Sequence, residues 1–302
     1  MTSRDPAFRC ATTSTQRDEP AGGTASNVRA FLLIEHPGPW GVNALRDARL
    51  PDGLGESVLR AGASARVRPL LVRRPDRSAH PEGIRVFAAF AHPSRPWVET
   101  TVLPDPHQLL DLDLTALGAG RSPGLSPYDG TLLCVCTHGR HDACCAERGR
   151  PVAAALAVAR AEDTWEVSHI GGDRFAGNML VLPQGLYYGR LDPESALTVA
   201  DRHAAGELEL DHLRGRSSYA MPVQFAEIAL RRELGEARMD AVRLVSRRRE
   251  GDITDAVFRV AGSEWHVRVH TTRGTDTFQL TCRATRDNPT SLHKLVAITT
   301  SG

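Results

Sequence analysis

Four of the chain's six cysteines, Cys134, Cys136, Cys144 and Cys145, fall within twelve residues. The run Cys136-Thr-His-Gly-Arg-His-Asp-Ala-Cys144-Cys145 is followed, 24 residues after Cys145, by His169-Ile-Gly-Gly-Asp173. Soft thiolates with imidazole suit zinc or an iron–sulfur cluster. A secreted disulfide framework spreads its cysteines along the chain, and a vicinal pair does not bridge itself. Gly139 lets the first segment double back, so that Cys136 and Cys145 converge. Gly171 and Gly172 allow a tight loop that brings His169 and Asp173 to one centre. His138 and His141 are read as solvated turn residues, Cys134 as core, and Cys10 and Cys282 as incidental.

The elements that must position these groups are β-strands. Leu132–Cys136 reads as a strand running into the polar turn 137–145, with a helix from Pro151 to Ala161, since proline is accepted in a first helical turn. Trp165–Ile170 is strand-like, and Asn178–Leu182 with Leu186–Leu191 forms a hairpin across Pro183-Gln184-Gly185. Asp192 opens the next helix as its N-cap. Both candidate loops leave strand ends, where open α/β sheets collect functional groups. Upstream, residues 30–35, 55–65, 66–72, 84–91, 97–103 and 105–117 give the same order, β-α-β-β-β-α.

The fold expected is α/β: two thioredoxin-like open-sheet lobes plus a small C-terminal α+β appendage. Residues 1–28 read as a disordered tail, 29–118 as an N-terminal lobe without cysteines, 131–207 as the second lobe and 208–302 as the appendage. Length agrees with about two domains. With 41% hydrophobic residues, 24% charged residues and a net charge of +1, the chain has material for sizeable cores and no global pull toward nucleic acid or anionic lipid. No apolar run approaches the roughly 18 residues that span a bilayer, and the first 28 residues lack a signal-peptide core. A cytoplasmic location is expected, with no membrane partner and no nucleic acid. Arg247-Arg248-Arg249 and Leu213-Arg-Gly-Arg216 read as solvated faces. G-x-S-x-G, P-loop, G-x-G-x-x-G and H-E-x-x-H patterns are missing.

The segments CTHGRHDACCAERGRPVAAAL and WEVSHIGGDRFAGNMLVLPQGLYYGRL, with FLLIEHPGPWG near the start, resemble the sucrase/ferredoxin-like family over about residues 29–200. That family's ferredoxin domain is similar to thioredoxin-like [2Fe-2S] ferredoxins, with a C-x8-C pair and an H-x-G-G-H loop whose two histidines share one iron in eukaryotic members. The resemblance implies a [2Fe-2S] cluster with Cys136, Cys145 and His169 as ligands, and electron transfer with unidentified redox donor and acceptor proteins. Asp173 stands where the family has its second histidine. It is the expected fourth ligand, ahead of Cys144, and Arg174 is placed to offset the charge. No catalytic residue is assigned. The name invokes sucrase, but the chain has no glycosidase-like carboxylate pair in context, and sugar hydrolysis is not expected. The alternatives are a thiol oxidoreductase using the Cys136–Cys145 turn, which lacks C-x-x-C, and a zinc-binding regulatory protein using the same ligands.

Overall fold

The computed structural model describes residue 5 and residues 7–301. Strand β1 (Ala30–Glu35) is buried at every position. Side chains alternate across a strand, so Phe31 and Leu33 enter one core while Leu32 and Ile34 enter another. A strand covered on both faces reads as a continuous apolar run. Helices α2 (Ala44–Asp47), α3 (Leu54–Ala65) and α4 (Leu114–Gly118) accompany β1, β2 (Val67–Arg73), β3 (Ile84–Phe90), β4 (Trp97–Leu103) and the two-residue β5 (Ser126–Pro127).

The second half repeats the plan with β6 (Leu132–Cys136), α5 (Ala143–Ala159), β7 (Thr164–Val167), β8 (Met179–Leu182), β9 (Leu186–Tyr188) and α6 (Pro193–Ala204). In each half the first two strands pair in parallel and the next two add antiparallel, giving the orders β2-β1-β3-β4 and β7-β6-β8-β9. The two halves do not form separate sheets. Strands β2 and β7 pair antiparallel through Val72 with Val167 and Arg73 with Glu166, and β10 (Leu213–Arg216) closes a ten-stranded sheet. A buried ion pair of 2.6 Å between Arg73 and Glu166 crosses the seam, with the Arg73 guanidinium 3.9 Å from the Trp40 ring centroid. Phe87 and Trp165 meet edge to face at 5.3 Å, so one core spans both halves.

Helix α5 begins at Ala143, eight residues before Pro151, and absorbs part of the expected turn. Asp142 caps it by accepting the Cys144 N–H at 2.9 Å. Within the expected disordered tail, residues 10–16 instead form α1, with Cys10, Ala11 and Ser14 buried, while residues 1–4 and 6 of that tail lie outside the described residues. Composition alone suggested a solvated segment. Its few small side chains instead let the helix lie against the Asp173–Phe175 turn.

Beyond the large sheet, α7 (Met221–Leu234) packs Val223, Ala226 and Leu230 onto an antiparallel sheet of β11 (Arg243–Glu250), β12 (Ile253–Val260), β13 (Ser263–Phe278) and β14 (Asn288–Ser301). The long β13–β14 hairpin carries its tip, residues 279–287, back to α5, where the Cys282 N–H donates to Asp142. The Leu213-Arg-Gly-Arg216 segment is interior, not a solvated face: Arg214 and Arg216 are buried. Among the described residues no helix is long and apolar enough to cross a membrane.

Candidate metal centre

Strands β6 and β7 run parallel, so their C-terminal ends lie side by side and deliver the Cys136 turn and the His169 loop to one place. Leu132, Cys134 and Cys136 share a face of β6. Cys134 stays in the core, as its strand-interior position suggests, while Cys136 sits at the open end. Cys145 occupies the first turn of α5.

The sulfurs of Cys136 and Cys145 and a ring nitrogen of His169 all lie within 4.8 Å of one another. Asp173 joins them: its Oδ1 is 3.2 Å from Cys145 Sγ and 2.8 Å from His169 Nδ1. The structure thus brings together all four residues singled out in the sequence. Cys144, the alternative fourth donor, points away toward Cys10 and Cys282. Those two cysteines are therefore not incidental in space.

The donors fit a thiolate–imidazole metal centre on a direct structural observation. His169 Nδ1 and Asp173 Oδ2 are buried without a hydrogen-bond partner; the short His169–Asp173 approach lacks hydrogen-bond alignment. Buried polar atoms are normally satisfied, and two orphans beside two thiols suit a bound cation. Burial opposes charge on His169, but the Asp173 carboxylate and the Cys136 thiol raise its imidazole to about 9. Burial likewise works against the Asp173 carboxylate, yet His169 and His141 hold it below its ordinary value. The hydrogen bond from Cys145, with help from His169, drives Cys136 well below an ordinary thiol, and the same contact drives Cys145 up. These contacts favour the thiolate at Cys136 and the carboxylate at Asp173, on either side of the His169 ring.

The supporting shell comes from unexpected parts of the chain. His138 is buried, not solvated; its Nε2 donates to Gly41 O at 2.7 Å, leaving Nδ1 to accept the His169 N–H at 3.3 Å. His141 stacks on His169 with centroids 3.8 Å apart, and its Nδ1 lies 3.3 Å from Val42 O. Arg68 on β2 donates to the carbonyls of His169 and Ile170 at 2.9 and 3.1 Å. The half without cysteines between residues 29 and 118 therefore braces the centre through its Trp40-Gly41-Val42 loop and Arg68.

On the other side, Arg214 donates to Gly171 O at 3.0 Å and Asn178 Oδ1 at 2.7 Å, while Asn178 Nδ2 donates to Gly172 O at 2.8 Å. Gly171 and Gly172 have φ of +100° and +80°, and a Cβ on Gly172 would run into the Arg214 guanidinium. The loop needs glycine for both backbone angle and space. Arg174 does not reach Asp173; it pairs with Glu19 at 2.7 Å. Arg214 was hidden in the sequence because it lies 41 residues beyond Asp173 with no spacing to link them.

The thiols are closed off from solvent, whereas the His169 and His141 side chains are 26% and 31% exposed. They floor a cleft of about 1090 Å³ that is also lined by Arg29, Arg46, Arg60, Arg66 and Arg68.

No curated protein and no solved structure shows significant similarity to the chain. The sucrase/ferredoxin-like family model, however, matches residues 22–215, a span that holds all four donors and the glycines just described but not Cys10 or Cys282, and the chain belongs to that family.

Proposed function

We propose that the chain is an electron-transfer protein whose Cys136, Cys145, His169 and Asp173 would hold a [2Fe-2S] cluster. The observation that carries this reading is the meeting of two sulfurs, one imidazole and one carboxylate at paired strand ends, with two of the donor atoms orphaned. Family membership and the repeated strand order, which suits a thioredoxin-like reading of each half, support it. When bound, such a cluster accepts and returns single electrons.

The chain's own residues set the terms of that exchange. Burial of both sulfurs excludes water from the cysteine side and disfavours thiol exchange with a substrate. The partly exposed His169–His141 stack floors a cleft bordered by five arginines, which suits an acidic redox protein. Asp173 adds a negative charge where a second imidazole would be neutral, which disfavours adding an electron. Two-histidine clusters lie at about −150 to +300 mV and all-thiolate ones near −400 mV, so an intermediate potential is expected here. Replacing Asp173 by His raises the potential in a redox titration of the full chain. An unchanged potential in Asp173→His, with the cluster retained, would show that Asp173 is not bound.

A further inference from the structure

Cys144 and Cys145 are neighbours in the first turn of α5, and successive helical residues point about 100° apart. While Cys145 faces Cys136, Cys144 faces Cys10 on α1 and Cys282 at the tip of the β13–β14 hairpin. Cys144 Sγ is 3.5 Å from Cys282 Sγ, which is 3.7 Å from Cys10 Sγ. The Asp142 oxygens lie 3.6 and 3.7 Å from Cys10 Sγ. One donor atom from each of the four residues falls within 4.8 Å of all the others.

We propose that Cys10, Cys144, Cys282 and Asp142 form a second metal site, distinct from the Cys136 centre, that binds one zinc ion and fastens α1 and the hairpin tip to α5. The separations discriminate between bonding schemes. A disulfide requires sulfurs about 2.05 Å apart and uses them in pairs, whereas here three thiols are mutually clustered and all are free. A tetrahedral zinc with Zn–S of about 2.3 Å and Zn–O near 2.0 Å has S···S edges of about 3.8 Å and S···O edges of about 3.5 Å. The observed 3.5–3.7 Å edges match both. Binding forms zinc–sulfur bonds and releases the thiol protons to solvent.

The surroundings are built for such a site. Asp142 is fully buried and accepts the backbone N–H groups of Cys144 at 2.9 Å and Cys282 at 2.6 Å, which fixes the carboxylate against both ligand-bearing segments. Four protein donors close the coordination sphere and leave no position for substrate, as in structural zinc sites. The three cysteines lie 134 and 138 residues apart in sequence, so the ion would cross-link the first helix, the central helix and the last hairpin. Family-typical spacing cannot reveal it, since no two of its segments are near one another along the chain.

Metal analysis of the full-length chain after direct addition of zinc chloride and desalting tests the site. Wild type is expected to hold about one zinc per chain, falling below about a tenth in Cys10→Ser and Cys282→Ser. Iron content and visible absorbance stay at the wild-type level in both variants, because neither residue touches the Cys136 centre. Cys136→Ser shows the opposite pattern, losing the chromophore and keeping zinc, so failure of one site is read separately from failure of the other. Circular dichroism checks folding, and Cys282→His, which retains a zinc donor, recovers the metal. Zinc retained in the Cys10→Ser/Cys282→Ser double variant, absence of zinc from folded wild type, or a disulfide among these cysteines in the unreduced protein would each overturn the proposal.

Discussion

Gly149 ties the packing of α5 to the geometry of the candidate centre. It lies one helical turn after Cys145, on the same face. A Cβ there would run into the Cys136 carbonyl oxygen and would also touch Thr137 Cγ2 at 3.6 Å. Relieving the clash in Gly149→Ala requires α5 to withdraw from β6 by about 1 Å. Cys145 rides on the same helix, so its sulfur withdraws from Cys136 by a similar amount. Metal–ligand distances tolerate only about 0.2 Å, so the shift separates the two thiols beyond what one ion can span. Overpacking of this kind costs about 1–3 kcal/mol, and each kcal/mol lowers Tm by about 2–4 °C in a chain of this order of size. The assay is iron per chain after anaerobic reconstitution, read beside thermal unfolding, with Gly22→Ala as a control whose Cβ meets only Ile228 at an ordinary 3.4 Å. The expected variant is both less stable and iron-poor. Full iron occupancy in Gly149→Ala would refute the link between this helix–strand contact and the site.

Removing the imidazole in His138→Ala takes away the contacts to Gly41 and His169 and is expected to weaken metal retention about 10–100-fold, measured by chelator competition. Glu227 is buried between Arg216 and Arg231 at 2.9 and 3.0 Å; Glu227→Gln leaves two buried guanidiniums facing each other and costs about 3–5 kcal/mol in denaturant unfolding. Burial, with a smaller push from Arg216, lowers His203 to about 4. The unfolded chain, with histidine near 6.5, then binds the proton more readily, so stability is full above about pH 6.5 and falls by about 2 kcal/mol by pH 5. His203→Gln is expected to remove that part of the acid dependence in parallel melts at the two pH values.

The local parts of the site were legible because strand and turn chemistry is local. Side-chain alternation put Cys134 and Cys136 on one face of β6, Pro183-Gln184-Gly185 marked the β8–β9 hairpin, and Asp192 capped α6 through its bond to the Ser195 N–H. The start of α5 was misread because Pro151 suggested a first turn, whereas Asp142 supplies the cap and the helix starts at Ala143, eight residues before Pro151. That phase matters, since it sends Cys144 and Cys145 to different places. Nothing in the spacing of Cys10 or Cys282 connects them to Cys144; only the fold of α1 and the long hairpin does. The bracing role of Gly41, Val42, Arg68 and Arg214 was hidden for the same reason, being made of contacts across the shared sheet and not along the chain.

Iron and acid-labile sulfide, quantified per chain in protein purified without oxygen, address the proposed cluster most directly. The account predicts about two irons and two sulfides per chain, with a visible charge-transfer spectrum that disappears in Cys136→Ser and Cys145→Ser. A colourless, folded chain that takes up no iron or sulfide on reconstitution, and holds zinc at Cys136, Cys145 and His169, would contradict it.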